Sequence, residues 1–349
     1  MTELPKVTHA LPGCGGVFKA SPDDFEVEEL PAYEPSAEPG SDEHLFMWVE
    51  KRGHSTQDVA KALAKHCGIQ ERDVSWAGLK DRQAVTRQYL CAPARAVESK
   101  LPTFAMEGVR VLRSARHRNK LKAGHLHGNR FRITLREVKD LGAAREKLEL
   151  LRRVGVPNYF GEQRFGVGGN NAARGKLILE RGGKHRDRFE RKLFLSAFQS
   201  DLFNRVLARR ITDGSFVKAV LGDVLKRHPL GGEFVCEDPL VEQPRIDAFE
   251  VSPSGPLFGP EMRAPTGVIA ALEDEILVEQ KIDRALFVNG GDETRGTRRW
   301  LRIPFGFEGV EEKASDVLEL RFTLPAGSYA TVVLRELITE NPPQSTTSG

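Results

Sequence analysis

The residues Trp76-Ala77-Gly78-Leu79-Lys80-Asp81 set a carboxylate just beyond a short strand-like run, turned by a glycine and followed by a second such run from Thr86 to Ala92. An acid held in this way can attack an electrophilic carbon or take a proton. A Lys-Asp turn explains the same residues without chemistry, because acids in loops are common and perturbed ones scarce. The second chemical feature is charge. Between Arg110 and Arg136 stand nine Lys or Arg, three His and no acid, whereas Pro22 to Glu43 holds nine acids and no Lys or Arg. A solvated face is one reading of the basic run. A phosphate-rich partner is the other, since a run without carboxylates forgoes the mixed-sign pairing that surface segments usually have.

Other chemistries are disfavoured. No G-x-x-x-x-G-K-[ST] occurs, and the glycines after Gly155 do not lie between a strand and a helix in the dinucleotide pattern. There is no H-E-x-x-H, and His117, His125 and His127 sit among cations that would repel a metal ion, so no metal site is expected. No G-x-S-x-G elbow is present; Ser328 reads instead as the start of a helix ending near Ile338. Cys14, Cys67, Cys91 and Cys236 are widely spaced and read as reduced thiols. The 349 residues suffice for about two domains, and the net charge of +3 comes from 52 basic and 49 acidic residues. With neither an export signal nor a run of roughly 20 apolar residues, a soluble cytoplasmic protein without a membrane partner is expected.

The elements that must position these groups follow from periodicity. Phe25 to Glu29 and Leu45 to Val49 read as strands, separated by a loop containing Pro31, Pro35, Pro39 and Gly40. A helix is expected from about Asp58 to Cys67, capped by Ser55 or Thr56 and ended by Gly68, then strands at Val74–Ala77 and Thr86–Ala92 around the Asp81 loop. Phe131, Ile133 and Leu135 alternate with Arg130, Arg132, Thr134 and Arg136, a strand with one cationic face. A helix started by Asp140 is expected over Leu141–Arg153. The cluster Gly155, Pro157, Gly161, Gly166, Gly168 and Gly169 marks a domain boundary. Beyond it, helices are expected at Lys192–Arg210 and Val268–Leu286, with short strands and turns between them. The alternation Leu318, Leu320, Phe322, Leu324 returns to the texture of the first 150 residues, so the middle reads as an insertion. The tail from Asn341 to Gly349 is expected to be mobile.

Set together, Gly78-Leu79-Lys80-Asp81, His127-Gly128-Asn129-Arg130-Phe131, Asn158-Tyr159-Phe160-Gly161-Glu162-Gln163-Arg164-Phe165-Gly166 and Leu324-Pro325-Ala326-Gly327-Ser328-Tyr329-Ala330-Thr331 resemble the TruD family of tRNA pseudouridine synthases. Lys19 followed by Ser21-Pro22-Asp23-Asp24-Phe25-Glu26-Val27-Glu28-Glu29 resembles the N-terminal signature of that family, and the blocks keep its order over nearly the whole chain. The resemblance implies an α+β fold: a pseudouridine synthase core with a mixed, largely antiparallel sheet flanked by helices, residues 1–154 and 305–349, and an inserted α/β TRUD domain over residues 155–304. It implies a cofactor-independent isomerase that acts on uridine 13 of tRNA in a cleft between the domains, with Asp81 as the catalytic carboxylate.

A carboxylate in a closed site needs a nearby cation to stay ionised. The resemblance suggests Lys19 for that task, against the reading of an ordinary exposed lysine; Lys80 is expected to face phosphate or solvent. Phe25, Phe131 and Tyr329 resemble aromatic substrate contacts, although Phe131 also begins the apolar face of its strand and Tyr329 stands where phenylalanine is frequent. Asn129 can address the uracil edge or the ribose, or merely turn the chain after Gly128. Arg116, Arg118, Lys120, Lys122 and Arg130 are expected on the RNA backbone, as are Lys184, Arg186, Arg188, Arg191 and Lys192, with tRNA as the partner and no protein partner evident. The competing readings are an RNA-binding protein or chaperone without catalysis, and a nucleoside-cleaving enzyme; the lack of an evident second acid disfavours the latter.

Overall fold

The structure is a computed structural model, and it describes residues 4–35, 44–229 and 231–338. The strands are β1 Gly15–Val17, β2 Phe25–Pro31, β3 His44–Arg52, β4 Ser75–Trp76, β5 Val85–Pro93, β6 Val109–His117, β7 Leu126–Val138, β8 Val156–Pro157, β9 Val224–Arg227, β10 Glu233–Val235, β11 Val251–Leu257, β12 Thr297–Trp300, β13 Arg302–Ile303, β14 Gly306–Ala314 and β15 Val317–Pro325. The helices are α1 Thr56–Cys67, α2 Ala94–Val97, α3 Leu141–Val154, α4 Asn171–Glu180, α5 Arg188–Thr212, α6 Pro239–Asp247, α7 Gly267–Glu279 and α8 Ala330–Leu337. Residues 36–43, which hold Pro39 and Gly40 of the expected loop, and the tail from Asn341 lie outside the described residues.

The chain divides into two compact units. One contains Gly13–Ala144 and Gly306–Gly327; the other contains Arg145–Phe305 with the N-terminal residues up to Pro12 and a segment beginning at Ser328. In the first, β14-β15-β7-β2-β5-β3-β6 form one sheet, with β1 added to β7 and β4 to β5. Only the β2–β5 pair is parallel, so the sheet is mixed and largely antiparallel.

Register decides which side chains meet. Lys51 of β3 lies opposite Thr86 of β5, Thr86 opposite Val27 of β2, Val27 opposite Phe131 of β7, and Phe131 opposite Phe322 of β15, forming one row across the sheet. Because side chains alternate, this row shares its face with Phe25, Glu29, Asn129 and Ile133. Toward β3 the same face builds an apolar core of Leu45, Met47 and Val49 with Val59, Leu63 and Cys67 of α1. That helix starts as its cap residues dictate. Ser55 accepts from the Asp58 amide at 3.1 Å while the Asp58 carboxylate accepts from the Ser55 amide at 2.9 Å, and Gly68 ends it with φ 67°.

In the second unit α5 runs longer than expected, because Asp187 caps it by accepting from the Glu190 amide at 2.9 Å. Helix α4, which shows little apolar periodicity, escaped the sequence reading. It packs so close to α5 that a Cβ on Gly175 would lie 2.1 Å from the Phe194 carbonyl oxygen. Helix α6 also escaped it, because prolines at 239 and 244 read as turns. Helix α7 stops at Glu279, short of the expected Leu286, since Lys281 turns left-handed with φ 50° and Asp283 opens a separate 3-10 stretch. Helix α8 starts one residue later than expected, with Tyr329 and not Ser328 at its N-cap. The four cysteines are all buried.

Candidate active site

Asp81 sits on a loop that is pinned residue by residue. The Gly78 carbonyl accepts from Gln88 Nε2 at 2.8 Å, and Gln88 Oε1 in turn accepts from Thr56 Oγ1 at 2.8 Å. The Lys80 amide donates to Thr56 Oγ1 at 3.0 Å. The Lys80 ammonium donates to Glu29 Oε2 at 2.8 Å, and both side chains are buried. The Asp81 carbonyl accepts from Lys51 Nζ at 2.9 Å, while Lys51 also donates to the His54 carbonyl at 2.7 Å. A loop with these anchors holds its carboxylate in one place, which is what a reaction geometry requires.

The carboxylate itself is half-buried. Its Oδ1 accepts from the Gln83 amide at 3.0 Å, an Asx turn, and its Oδ2 is ion-paired with the Lys19 ammonium. Burial works against ionisation of Asp81. The Lys19 hydrogen bond, the Gln83 amide and the charges of Lys19 and Lys51 outweigh it, so the pKa lies below the ordinary carboxylate range. Asp81 is therefore an anion at neutral pH. Lys51, 2% exposed, behaves in the opposite sense: burial first of all, and Lys80 nearby, bring its pKa down to about 8 against the attraction of Asp81 and Asp58.

Lys19 reaches Asp81 from a strained position. Its φ of 59° lies in the left-handed region, at a cost of roughly 1–3 kcal/mol for a residue with a Cβ. Both flanks hold it there: β1 is paired with β7, and Ser21 opens a turn in which Asp24 accepts from the Ser21 amide at 2.9 Å and is bound by Arg136 at 2.7 Å. The Lys19 ammonium lies 4.4 Å from the centre of the Phe25 ring, and Phe25 meets Phe131 edge-on at 6.4 Å. Phe131 is stacked on Phe322 at 5.2 Å and is buried. These rings form an apolar floor beside the ion pair. On the same face, Asn129 keeps its Oδ1 buried with no hydrogen-bond partner, an orphan acceptor that a ligand donor can satisfy. The neighbouring Gly128 is required, because a Cβ there would come within 2.2 Å of the Leu324 carbonyl oxygen on β15.

The structure thus gathers Asp81, Lys19, Phe25, Asn129 and Phe131 within one unit. Tyr329 lies in the other unit, partly exposed, close enough in charge terms to act on Arg299. One expectation is corrected: Lys80 faces neither solvent nor phosphate, because Glu29 neutralises it in the interior. Sequence reasoning missed Glu29 and Lys51. Both carried a signal, a charged residue in phase with a buried alternation: Phe25, Val27, Glu29 and Met47, Val49, Lys51.

The basic run also needs correction. It lacks acids in sequence but not in space: Arg113 pairs with Glu34, Arg116 with Glu98, Arg130 with Glu28 and Glu308, Arg132 with Glu26, and Arg136 with Asp24. Arg116 and Arg130 are therefore engaged by carboxylates, whereas Arg118, Lys120 and Lys122 line a cleft. Of the second basic group, Arg191 is bound to Glu293, while Arg188 and Lys192 flank Phe189 in another cleft of about 480 Å³. Among the described residues no helix is long and apolar enough to cross a membrane.

Comparison with known proteins agrees over the length of the chain. The family model described as tRNA pseudouridine synthase D (TruD) matches residues 3–185 and 187–337. A protein named tRNA pseudouridine synthase D from Anaeromyxobacter dehalogenans strain 2CP-1 is 47% identical over 343 residues, covering 97% of each chain. One of the same name from Thermus thermophilus is 41% identical over 335 residues, covering 96% of this chain and 92% of its own. Among solved structures, the putative tRNA pseudouridine synthase D from Methanosarcina mazei superimposes with a TM-score of 0.75 at 24% identity, over 97% of this chain and 96% of that one. The α+β fold is that of a pseudouridine synthase, and the chain belongs to the TruD family of tRNA pseudouridine synthases.

Proposed function

We propose that this protein isomerises uridine 13 of tRNA to pseudouridine without a cofactor, using Asp81 as the catalytic carboxylate. Family membership carries tRNA pseudouridylation; the position, the aspartate and the independence from cofactors belong to this reading. The reaction breaks the bond from N1 of uracil to ribose C1′, turns the base, and joins C5 to C1′. C5 gives its proton to solvent and N1 gains one, so atoms and electrons balance with no redox partner. Two routes use an ionised carboxylate beside the sugar: attack on the nucleotide, or removal of a ribose proton.

The observation that carries the reading is the Lys19–Asp81 pair on a fully anchored loop, with Phe25 against the ammonium. Lys19 keeps Asp81 charged in a partly dry site, and Lys51 fixes the backbone of Asp81 from beneath. The target base leaves its stack at a cost of a few kcal/mol, offset by apolar contact with Phe25 and Phe131 and by the free acceptor of Asn129. Tyr329 provides a further aromatic contact with RNA. By the order of the motif blocks we assign the catalytic core to residues 1–154 and 305–349 and the inserted TRUD domain to residues 155–304; the compact units instead group the residues up to Pro12, Arg145–Val154 and the segment from Ser328 with the insert.

Tritium release from tRNA labelled at C5 of uridine tests the proposal. The wild type is expected to release tritium and Asp81→Asn to release none, with tRNA affinity within a few-fold. Equal turnover would remove Asp81 from the mechanism, and free uracil as product would point to nucleoside cleavage.

A further inference from the structure

The unit that carries Asp81 has an open cleft of about 540 Å³ between the end of β6 and the loop leading into β7. Its wall is aromatic: Tyr33 stacks on His117 at 5.0 Å with 26° between the ring planes, and its hydroxyl is 3.1 Å from His125 Nδ1. Its rim is cationic, formed by Arg118, Lys120 and Lys122. The state of these cations sets them apart from five arginines of the same basic run. Arg113, Arg116, Arg130, Arg132 and Arg136 each carry a carboxylate. Among the described residues no carboxylate pairs with Arg118, Lys120 or Lys122, and Lys120 reaches only the Arg72 carbonyl at 3.3 Å.

The cleft is mechanically tied to the catalytic loop. The Gly124 amide donates to the Ala77 carbonyl at 2.8 Å, and the side chain of Leu126 lies 3.7 Å from where a Cβ on Gly78 would stand. Unpaired cations beside stacked rings suit one kind of ligand, a nucleotide whose phosphate meets the rim and whose base meets the aromatic wall.

We propose that this cleft is a second nucleotide-binding site, which holds an unpaired, phosphodiester-linked nucleotide of the substrate RNA away from the target uridine through Arg118 and Lys122 at the phosphate and Tyr33 at the base. The proposal rests on the reading of tRNA as substrate and adds to it where a further part of the RNA is gripped. Arg113, Arg116 and Arg130, already neutralised, contribute less to the grip than the cations of the cleft.

The experiment measures tRNA affinity by fluorescence anisotropy across a salt series for the wild type, Arg118→Ala/Lys122→Ala, Arg132→Ala and Tyr33→Leu, with melting curves to check folding. Losing one or two phosphate contacts should flatten the slope of log Kd against log salt by about 1 to 2 and weaken binding about tenfold or more at low salt. Arg132→Ala should leave the slope unchanged. Tyr33→Leu should weaken binding about tenfold with the slope intact, as loss of a stacking contact does. A double variant with the wild-type slope and affinity overturns the proposal. So does a wild type that binds uridine 5′-monophosphate through these cations while tRNA affinity is unaffected by their removal, which would assign the cleft to a free nucleotide. A wild type that neither binds tRNA nor releases tritium overturns instead the functional reading beneath it.

Discussion

Lys51→Met separates two effects that the fold has joined in one ammonium. Lys51 is 2% exposed and donates to the carbonyls of Asp81 and His54 at 2.9 and 2.7 Å. Burial has moved its pKa from 10.5 to about 8, which corresponds to about 3 kcal/mol at 1.36 kcal/mol per unit. The sign follows from proton counting. Between about pH 8 and 10.5 the unfolded chain binds more protons at this residue than the folded one, so its contribution to stability rises with pH across that window. Below pH 8 the cost of the buried charge is fully present. Activity runs the other way, because loss of the charge near pH 8 turns the charge-assisted hydrogen bonds that anchor the Asp81 and His54 carbonyls into weaker neutral ones.

Methionine relieves the burial cost but leaves two carbonyls without a donor, at roughly 1–3 kcal/mol each. The net expectation is a loss of no more than about 3 kcal/mol in urea unfolding at pH 7. The Asp81 loop loses its Lys51 anchor, and under the proposed role of Asp81 a displacement on the order of 1 Å costs roughly 100-fold in rate. The tritium-release assay should therefore show kcat down by about 10- to 100-fold, with KM for tRNA within about threefold. The alkaline limb near pH 8 should disappear in Lys51→Met and move to higher pH in Lys51→Arg, whose charge persists. A wild-type profile flat from about pH 7 to 9.5, or a limb that survives in Lys51→Met, would refute the reasoning and assign the limb to substrate.

Two further outcomes follow from the same loop. Lys80→Met strands the Glu29 carboxylate in the interior and should cost roughly 3–5 kcal/mol by chemical denaturation, with much of it recovered in Lys80→Met/Glu29→Met; a loss under about 1 kcal/mol would show that the pair does not hold the loop. Because the folded Asp81 pKa is depressed, its ionisation contributes stability above the unfolded carboxylate value that is lost as pH falls through the folded one. Lys19→Ala removes the main partner opposing burial, so the acid limb of kcat/KM should move toward neutral pH; an unmoved limb would mean that Lys19 does not set the charge of Asp81.

The sequence determined what is local. Alternation gave β2, β7 and β15, cap chemistry gave both ends of α1, and Asp140 gave the start of α3, since these depend on residues within a few positions of one another. The five motif blocks carried the family, and with it Asp81 and its partner Lys19. What the sequence could not determine was pairing across strands. The arginines of the basic run look unneutralised in sequence because their carboxylates arrive from β2 and the segments on either side of it, from β14 and from the segment after α2, and only strand register brings Glu26 to Arg132 or Glu308 to Arg130. The fate of Lys80, buried on Glu29, and the role of Lys51 beneath Asp81 were decided in the same way. Charge neutralisation is a property of distances between elements, and those distances exist only once the sheet has assembled.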